Sequence, residues 1–176
     1  SIESTYYSRR RIDMPVTDII TDLDNRTLTI LATFAAPVER VWGMYADPRQ
    51  LEVVWGPPSH PATFVAHSLT VGSRTVYYMT GPDGERFAGW WRVTAVDEPH
   101  SFAFDDGFAD AEFNDVPDLP VSHNVYSFER DGDQTKARFV ATYDSAQDLQ
   151  KVLDMGVEEG TRLALGQVDA YLAQHP

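Results

Sequence analysis

The sequence contains no cysteine. Disulfides, thiolate metal sites and cysteine nucleophiles are therefore excluded, and a reducing, cytoplasmic location is the expectation. Cations are scarce: 14 Lys and Arg stand against 27 Asp and Glu, a formal net charge of -13. A surface of that sign repels phosphate backbones and anionic lipid, so neither nucleic acid nor a membrane is an expected partner. The one basic run, Arg9, Arg10 and Arg11, sits near the N-terminus and reads as part of a tail. No apolar stretch is long enough for a membrane span, and the polar N-terminal segment lacks the apolar centre of a signal peptide.

Complete catalytic motifs are missing as well. No Gly-rich phosphate loop joins a strand to a helix, and no nucleophile elbow is present. The histidines His60, His67, His100, His123 and His175 include no pair at metal-ligand spacing. Most are expected at the surface; His67 and His123 fall in strands and are expected to face inward with their ring nitrogens satisfied. Asp105, Asp106, Asp110, Glu112, Asp115 and Asp118 form an acidic cluster without the spacing of an EF-hand loop, so they read as a solvated face. No metal or cofactor is implied.

What remains is a globular composition. Hydrophobic residues make up 43% of 176, enough for one domain with a substantial core. Residues 1–17 are polar and mixed and read as an N-terminal extension; residues 18–176 read as a single domain. Residues 18–23 are a candidate first strand, and Asp24, Asn25 and Arg26 a turn. Residues 27–34 alternate and are rich in β-formers. Pro37 then opens a helix whose buried face is Val38, Val41, Trp42 and Tyr45, and Asp47–Pro48 ends it. A second short helix over 49–54 leads to Trp55 and the breaker Gly56, Pro57, Pro58. From Ala62 to Tyr143 strands alternate with turns, closing with a hairpin around Asp131, Gly132 and Asp133.

The last thirty or so residues organise the rest. Leu149, Leu153, Val157, Gly160, Ala164, Val168, Tyr171 and Leu172 recur at steps of three and four, with Lys151, Asp154, Glu158, Arg162 and Asp169 opposite. That spacing predicts one amphipathic helix from about Ala146, roughly seven to eight turns long. The fold expected is α+β: a helix-grip arrangement in which a curved antiparallel sheet of about six to seven strands wraps on the long C-terminal helix, with two short helices early in the chain.

Residues 27–30, 36–42, Asp47–Pro48 and Trp55, Gly56, Pro57 resemble the opening of the START-like (SRPBCC, Bet v-like) superfamily. The loop Gly81, Pro82, Asp83, Gly84, the strand through Gly89 and Val93, and the spacing Met155, Gly156, Gly160, Leu165, Val168, Leu172 are similar to the branch named after the activator of heat-shock protein 90 ATPase. The resemblance runs from about Ile20 to Leu172 and implies a cavity between sheet and C-terminal helix, but no catalytic residue. The long N-terminal extension and the acidic loop 105–120 depart from the simplest members. The loop resembles that of an actinobacterial subgroup and is a candidate lid.

Candidate cavity-lining residues are Trp42, Tyr45, Trp55, Tyr77, Met79 and Trp91, together with Phe104, Tyr126, Phe139, Leu153, Gly156 and Gly160. Most aromatics in any core simply fill it. Trp90 and Trp91 must face opposite sides of their strand. Gly156 and Gly160 each cost a helix about 1 kcal/mol relative to Ala. They mark either close packing on the sheet or space beneath the helix. If space, Gly156→Leu is expected to fill it and to improve helix propensity. Three functions follow in order: binding of a small hydrophobic or aromatic molecule; a cyclase- or hydratase-type enzyme in the same cavity, signalled by a strongly shifted carboxylate or histidine inside it; and a protein-interaction, chaperone-regulator-like module. A homodimer is compatible with all three.

Overall fold

The computed structural model describes residues 15–176; the basic run at Arg9, Arg10 and Arg11 lies outside the described residues. The chain order is β1 (Val16–Asp22), β2 (Thr27–Phe34), α1 (Val38–Ala46), α2 (Pro48–Trp55), β3 (Ala62–Ala66), β4 (Arg74–Thr80), β5 (Arg86–Asp97), β6 (Ser101–Ala109), β7 (Ser122–Asp131), β8 (Gln134–Tyr143), α3 (Ala146–Asp154), α4 (Val157–Leu165) and α5 (Val168–Gln174). All strands join one eight-stranded antiparallel sheet in the order β1-β2-β8-β7-β6-β5-β4-β3. The sheet is larger than the sequence predicts because β1 is a full member. It begins at Val16, whose side chain is buried, and pairs along β2.

Local chemistry explains the early elements. Pro37 precedes α1 in an extended conformation, and Val38, Val41, Trp42, Met44 and Tyr45 are its buried face. Asp47 alone separates the two helices: its backbone is extended, and its side chain accepts a hydrogen bond from the Arg49 N–H at 2.9 Å, capping α2. Pro48 occupies the first helical turn, where its missing N–H costs nothing. Register shifts between Phe64 and Ala66 and between Val93 and Ala95 bend the sheet around its inner face; an extra residue in one strand increases local twist and curvature.

The terminal helix is not continuous. Gly156 adopts φ +85°, in the left-handed region, and breaks the run after Met155. Only glycine enters that region without a Cβ penalty, so it ends α3 and starts α4 at one residue. A second, milder break at Gly166 and Gln167 keeps right-handed dihedrals. There the Gln167 amide donates to the Gly56 carbonyl at 2.7 Å, tying the arm to the end of α2.

The arm is anchored at its two ends. Leu149 and Val152 of α3 form a small cluster with Leu28 and Tyr143. Leu165 of α4 with Val168 and Leu172 of α5 join the main core with Phe34, Val38 and Trp42. Leu153 and Val157, expected to be buried, are only partly so and lie beside the smaller cluster. Between the anchors α4 spans a gap over the sheet.

Candidate functional site

That gap is a cavity of about 680 Å³. Its floor is the inner face of the sheet: Leu28 and Ile30 from β2, Tyr77 and Met79 from β4, Asp106 and Phe108 from β6, Asn124 and Tyr126 from β7, Phe139 and Tyr143 from β8. Its roof is the arm, with Val152, Gly156, Val157, Gly160, Thr161 and Ala164. Tyr45 of α1, Val54 and Trp55 of α2 and the following Pro57 and His60 close one side. Met155 and Leu163 belong to the same wall yet are 54% and 47% exposed, so they mark its apolar mouth.

The cavity brings together Tyr45, Trp55, Tyr77, Met79, Tyr126, Phe139, Gly156 and Gly160 of the residues expected from the sequence. It does not bring in Trp42, Trp91, Phe104 or Leu153. Trp42 packs edge-on against Phe102 and Phe128 in the core. Trp91 points to the inner face but is fully buried, stacked on Phe104 at 4.0 Å and covered by Trp55 at 4.9 Å between ring centroids. Trp90 takes the outer face, where Arg74 lies over its ring at 5.3 Å.

The glycines of the arm are not close-packing residues. A Cβ on either Gly156 or Gly160 would meet no atom within 4 Å. Gly156→Leu, however, would not improve a helix, because it would force a branched side chain to φ +85°. Gly160 has ordinary helical geometry and open space beside it, so it is the position at which the cavity can be filled.

Sequence reasoning missed Asp106, which it assigned to a solvated acidic face. Period-two alternation in β6 puts Phe102, Phe104, Asp106 and Phe108 on one side, and that regularity was the available signal. Asp106 is surrounded by protein while keeping part of its surface open to the cavity. The Tyr77 hydroxyl donates to its Oδ1 at 3.1 Å. Burial pushes the carboxyl up to about 7, and the Tyr77 hydrogen bond pulls the other way. Among the described residues no cation pairs with it. Burial likewise raises the hydroxyls of Tyr77, Tyr126 and Tyr45 well above the usual range, and that of Tyr143 to about 12.

The Tyr77–Asp106 contact spans a whole strand. Tyr77 is on β4 and Asp106 on β6, with β5 between them. The residue of β5 opposite Tyr77 is Gly89. A Cβ there would lie 2.5 Å from the Tyr77 Cζ and hydroxyl, so the ring reaches across only because the position is bare. Gly89→Ala should therefore displace the ring, break the hydrogen bond and lose about 1–3 kcal/mol as an overpacked site. Urea denaturation measures this; wild-type stability in the variant would mean that the ring relaxes freely.

The other candidate groups lie elsewhere. His67 is satisfied inside the protein, with Nε2 bonded to the Tyr45 carbonyl oxygen at 2.8 Å and Nδ1 2.8 Å from the Thr75 hydroxyl; burial lowers its pKa. His123 does not face inward. It is exposed on the outer face between Asp105 at 2.7 Å and Asp144 at 3.0 Å, and hydrogen bonds to both carboxylates raise its pKa. The acidic loop is pinned by Arg74, which bonds Asp115 at 2.8 Å and the Phe113 carbonyl at 2.9 Å. Of the segment after β6, Pro120 reaches the cavity wall. Among the described residues no group of histidines and carboxylates could hold a metal ion, and no helix is long and apolar enough to cross a membrane.

A curved antiparallel sheet gripped by a C-terminal helical arm, with a cavity between, defines a START-like helix-grip protein. Within that class the chain belongs to the Activator of Hsp90 ATPase homolog 1-like protein family, whose model matches residues 35–173. It is 64% identical to protein Ms6760 from Mycobacterium smegmatis, whose crystal structure superposes with a TM-score of 0.84 over 90% of this chain and 97% of that one. A protein from Arthrobacter aurescens, solved in solution, is 43% identical, with a TM-score of 0.86 over 90% of this chain and 92% of that one. A Staphylococcus epidermidis protein at 23% identity, TM-score 0.78, over 91% of this chain and 96% of that one, shares the fold. No curated protein matches the chain.

Proposed function

We propose that the protein binds a small apolar or aromatic molecule between the sheet and the helical arm. The observation that carries this reading is the cavity itself. Its volume of about 680 Å³ falls in the range of small-molecule sites, and its wall is mainly aliphatic and aromatic with a few convergent polar groups. The broken arm supports the same use: α4 spans the gap between two packed anchors without filling it.

The test follows from Gly160. Gly160→Phe places a ring in the open space beside α4 while replacing glycine with a better helix former. Titration with an apolar fluorescent probe should saturate in the wild type and be lost, or weakened at least about tenfold, in the variant. The melting temperature should hold or rise, because the added ring buries apolar area in vacant space. Absence of saturable probe binding to the wild type, with a clear fall in the variant's melting temperature, would reject the proposal.

Asp106 favours a second reading, acid–base chemistry of the cyclase or hydratase kind in the same cavity. A carboxyl pushed up to about 7 matches what general acid–base catalysis requires near neutrality. In that case Asp106→Asn abolishes turnover while leaving binding of the uncharged substrate intact.

A further inference from the structure

We infer that the cavity selects ligands whose polar end is a cation: an amine or ammonium on an apolar body, with its charge against Asp106. The inference rests on the proposed binding function and adds the ligand's chemical class. Three features of the wall carry it. Asp106 Oδ1 receives the Tyr77 hydroxyl, while Oδ2 has no protein partner among the described residues. A carboxylate enclosed by protein without a counter-ion is costly, and a cationic ligand would supply the missing charge and hydrogen-bond donors. The aromatic surroundings suit the same occupant, since Trp55, Tyr77, Tyr126 and Tyr143 share the wall and aromatic faces attract cations.

The remaining electrostatics agree. Among the described residues no Lys or Arg lines the cavity, whereas Glu159 adds a second carboxylate. The net charge of -13 draws cations towards a low-dielectric cleft and repels anions. A carboxylate or phosphate ligand would meet no Lys or Arg on this wall, and the one helix start there, at Gly156 and Val157, carries Glu159 in its first turn.

A matched series tests the inference: 1-naphthylmethylamine, 1-naphthylmethanol and 1-naphthylacetate share one apolar body and differ in charge. Calorimetric titration of the full chain at pH 8 should give the ammonium at least about tenfold tighter binding than the alcohol, with the acetate weakest. In Asp106→Asn the ammonium should fall to the level of the alcohol, whose affinity should be unchanged.

The wild type should also show a pH signature. A cation binds the ionised carboxylate, so between pH 8 and pH 6 the ammonium's affinity should fall about tenfold as Asp106 takes up its proton, and binding near neutrality should release protons. The titratable groups facing Asp106 are Tyr77 from β4, Tyr126 from β7 and Tyr143 from β8, with Tyr45 from α1, Glu159 from α4 and His60 from the segment after α2 completing the wall. The tyrosines stay protonated throughout this window. Glu159→Gln and His60→Gln should preserve the pH effect. Equal binding of the alcohol or acetate, or an ammonium preference that survives Asp106→Asn, would overturn the cation inference and leave the cavity reading standing. If none of the three probes binds, both fall. The charge series and pH profile on the wild type decide the matter even if Asp106→Asn fails to fold.

Discussion

Asp106→Asn should make the protein more stable at pH 8 than the wild type, with the gain shrinking to little or nothing near pH 4. Asp106 ionises with a pKa near 3.8 when solvated and is pushed up to about 7 in the folded protein. Between those values the folded state binds a proton that the unfolded state has lost. Stability therefore falls as pH rises through this interval and levels off above it. A shift of that size corresponds to at most about 4 kcal/mol. Water admitted to the cavity lowers the expected gain to about 1–3 kcal/mol. Asparagine keeps an oxygen for the Tyr77 hydroxyl and removes the charge.

His123 complicates the raw wild-type curve. Its carboxylate partners raise its pKa, so its own stabilising contribution is full below the unfolded value and is lost as pH rises through the folded one. Because it is 47% exposed, that contribution is small, and it cancels in the difference between variant and wild type. Urea denaturation of both proteins at pH 4.5 and pH 8 measures the difference. An identical stability change at the two pH values would show that Asp106 is not held in a raised state. A gain at a residue on the cavity wall would fit the common finding that functional groups are kept at some cost in stability.

Leu172→Ala should cost about 2–5 kcal/mol. Leu172 is 3% exposed and belongs to the main core with Phe34 and Val38. Val168→Ala should cost less, about 1–3 kcal/mol, because fewer carbon atoms leave a similarly buried site. Leu153→Ala is the internal comparison: Leu153 follows the same helical stripe in the sequence but is only partly buried beside the smaller cluster. Equal losses for Leu153 and Leu172 would contradict the two-anchor arrangement and point to one continuous, uniformly packed helix. Urea midpoints with unchanged slopes measure all three.

Much of the architecture is local chemistry and was legible in the residues. The alternation of Thr27–Phe34, the Pro37 start, the Asp47–Pro48 boundary between the two short helices and the apolar spacing of the C-terminal stretch depend on near neighbours along the chain. The candidate site was less legible: Trp42, Trp91, Phe104 and Leu153 do not border the cavity, and Asp106 was not among the expected residues. Tyr45, Trp55, Tyr77, Met79, Tyr126 and Phe139 were expected as inward aromatic or flexible apolar residues, and they line the cavity.

What the sequence left open depends on pairing between distant strands. Period-two alternation places Trp90 and Trp91 on opposite faces, but only the curvature and cover of the assembled sheet make the Trp91 face the inner one. The same holds for Asp106: it shares a side with Phe102 and Phe104, yet its acidic neighbours resemble a solvated loop until β5 and β7 flank it. Whether Gly156 continues or breaks a helix is likewise undecided locally, since glycine tolerates either sign of φ. The two anchors, set by β2 and β8 at one end and by the main core at the other, require the arm to bend there. The sequence thus determined which segments are strands and helices and which stripes are apolar. Tertiary structure alone decided which face encloses space and which carboxylate is shut inside it, because enclosure belongs to surfaces brought together from far apart in the chain.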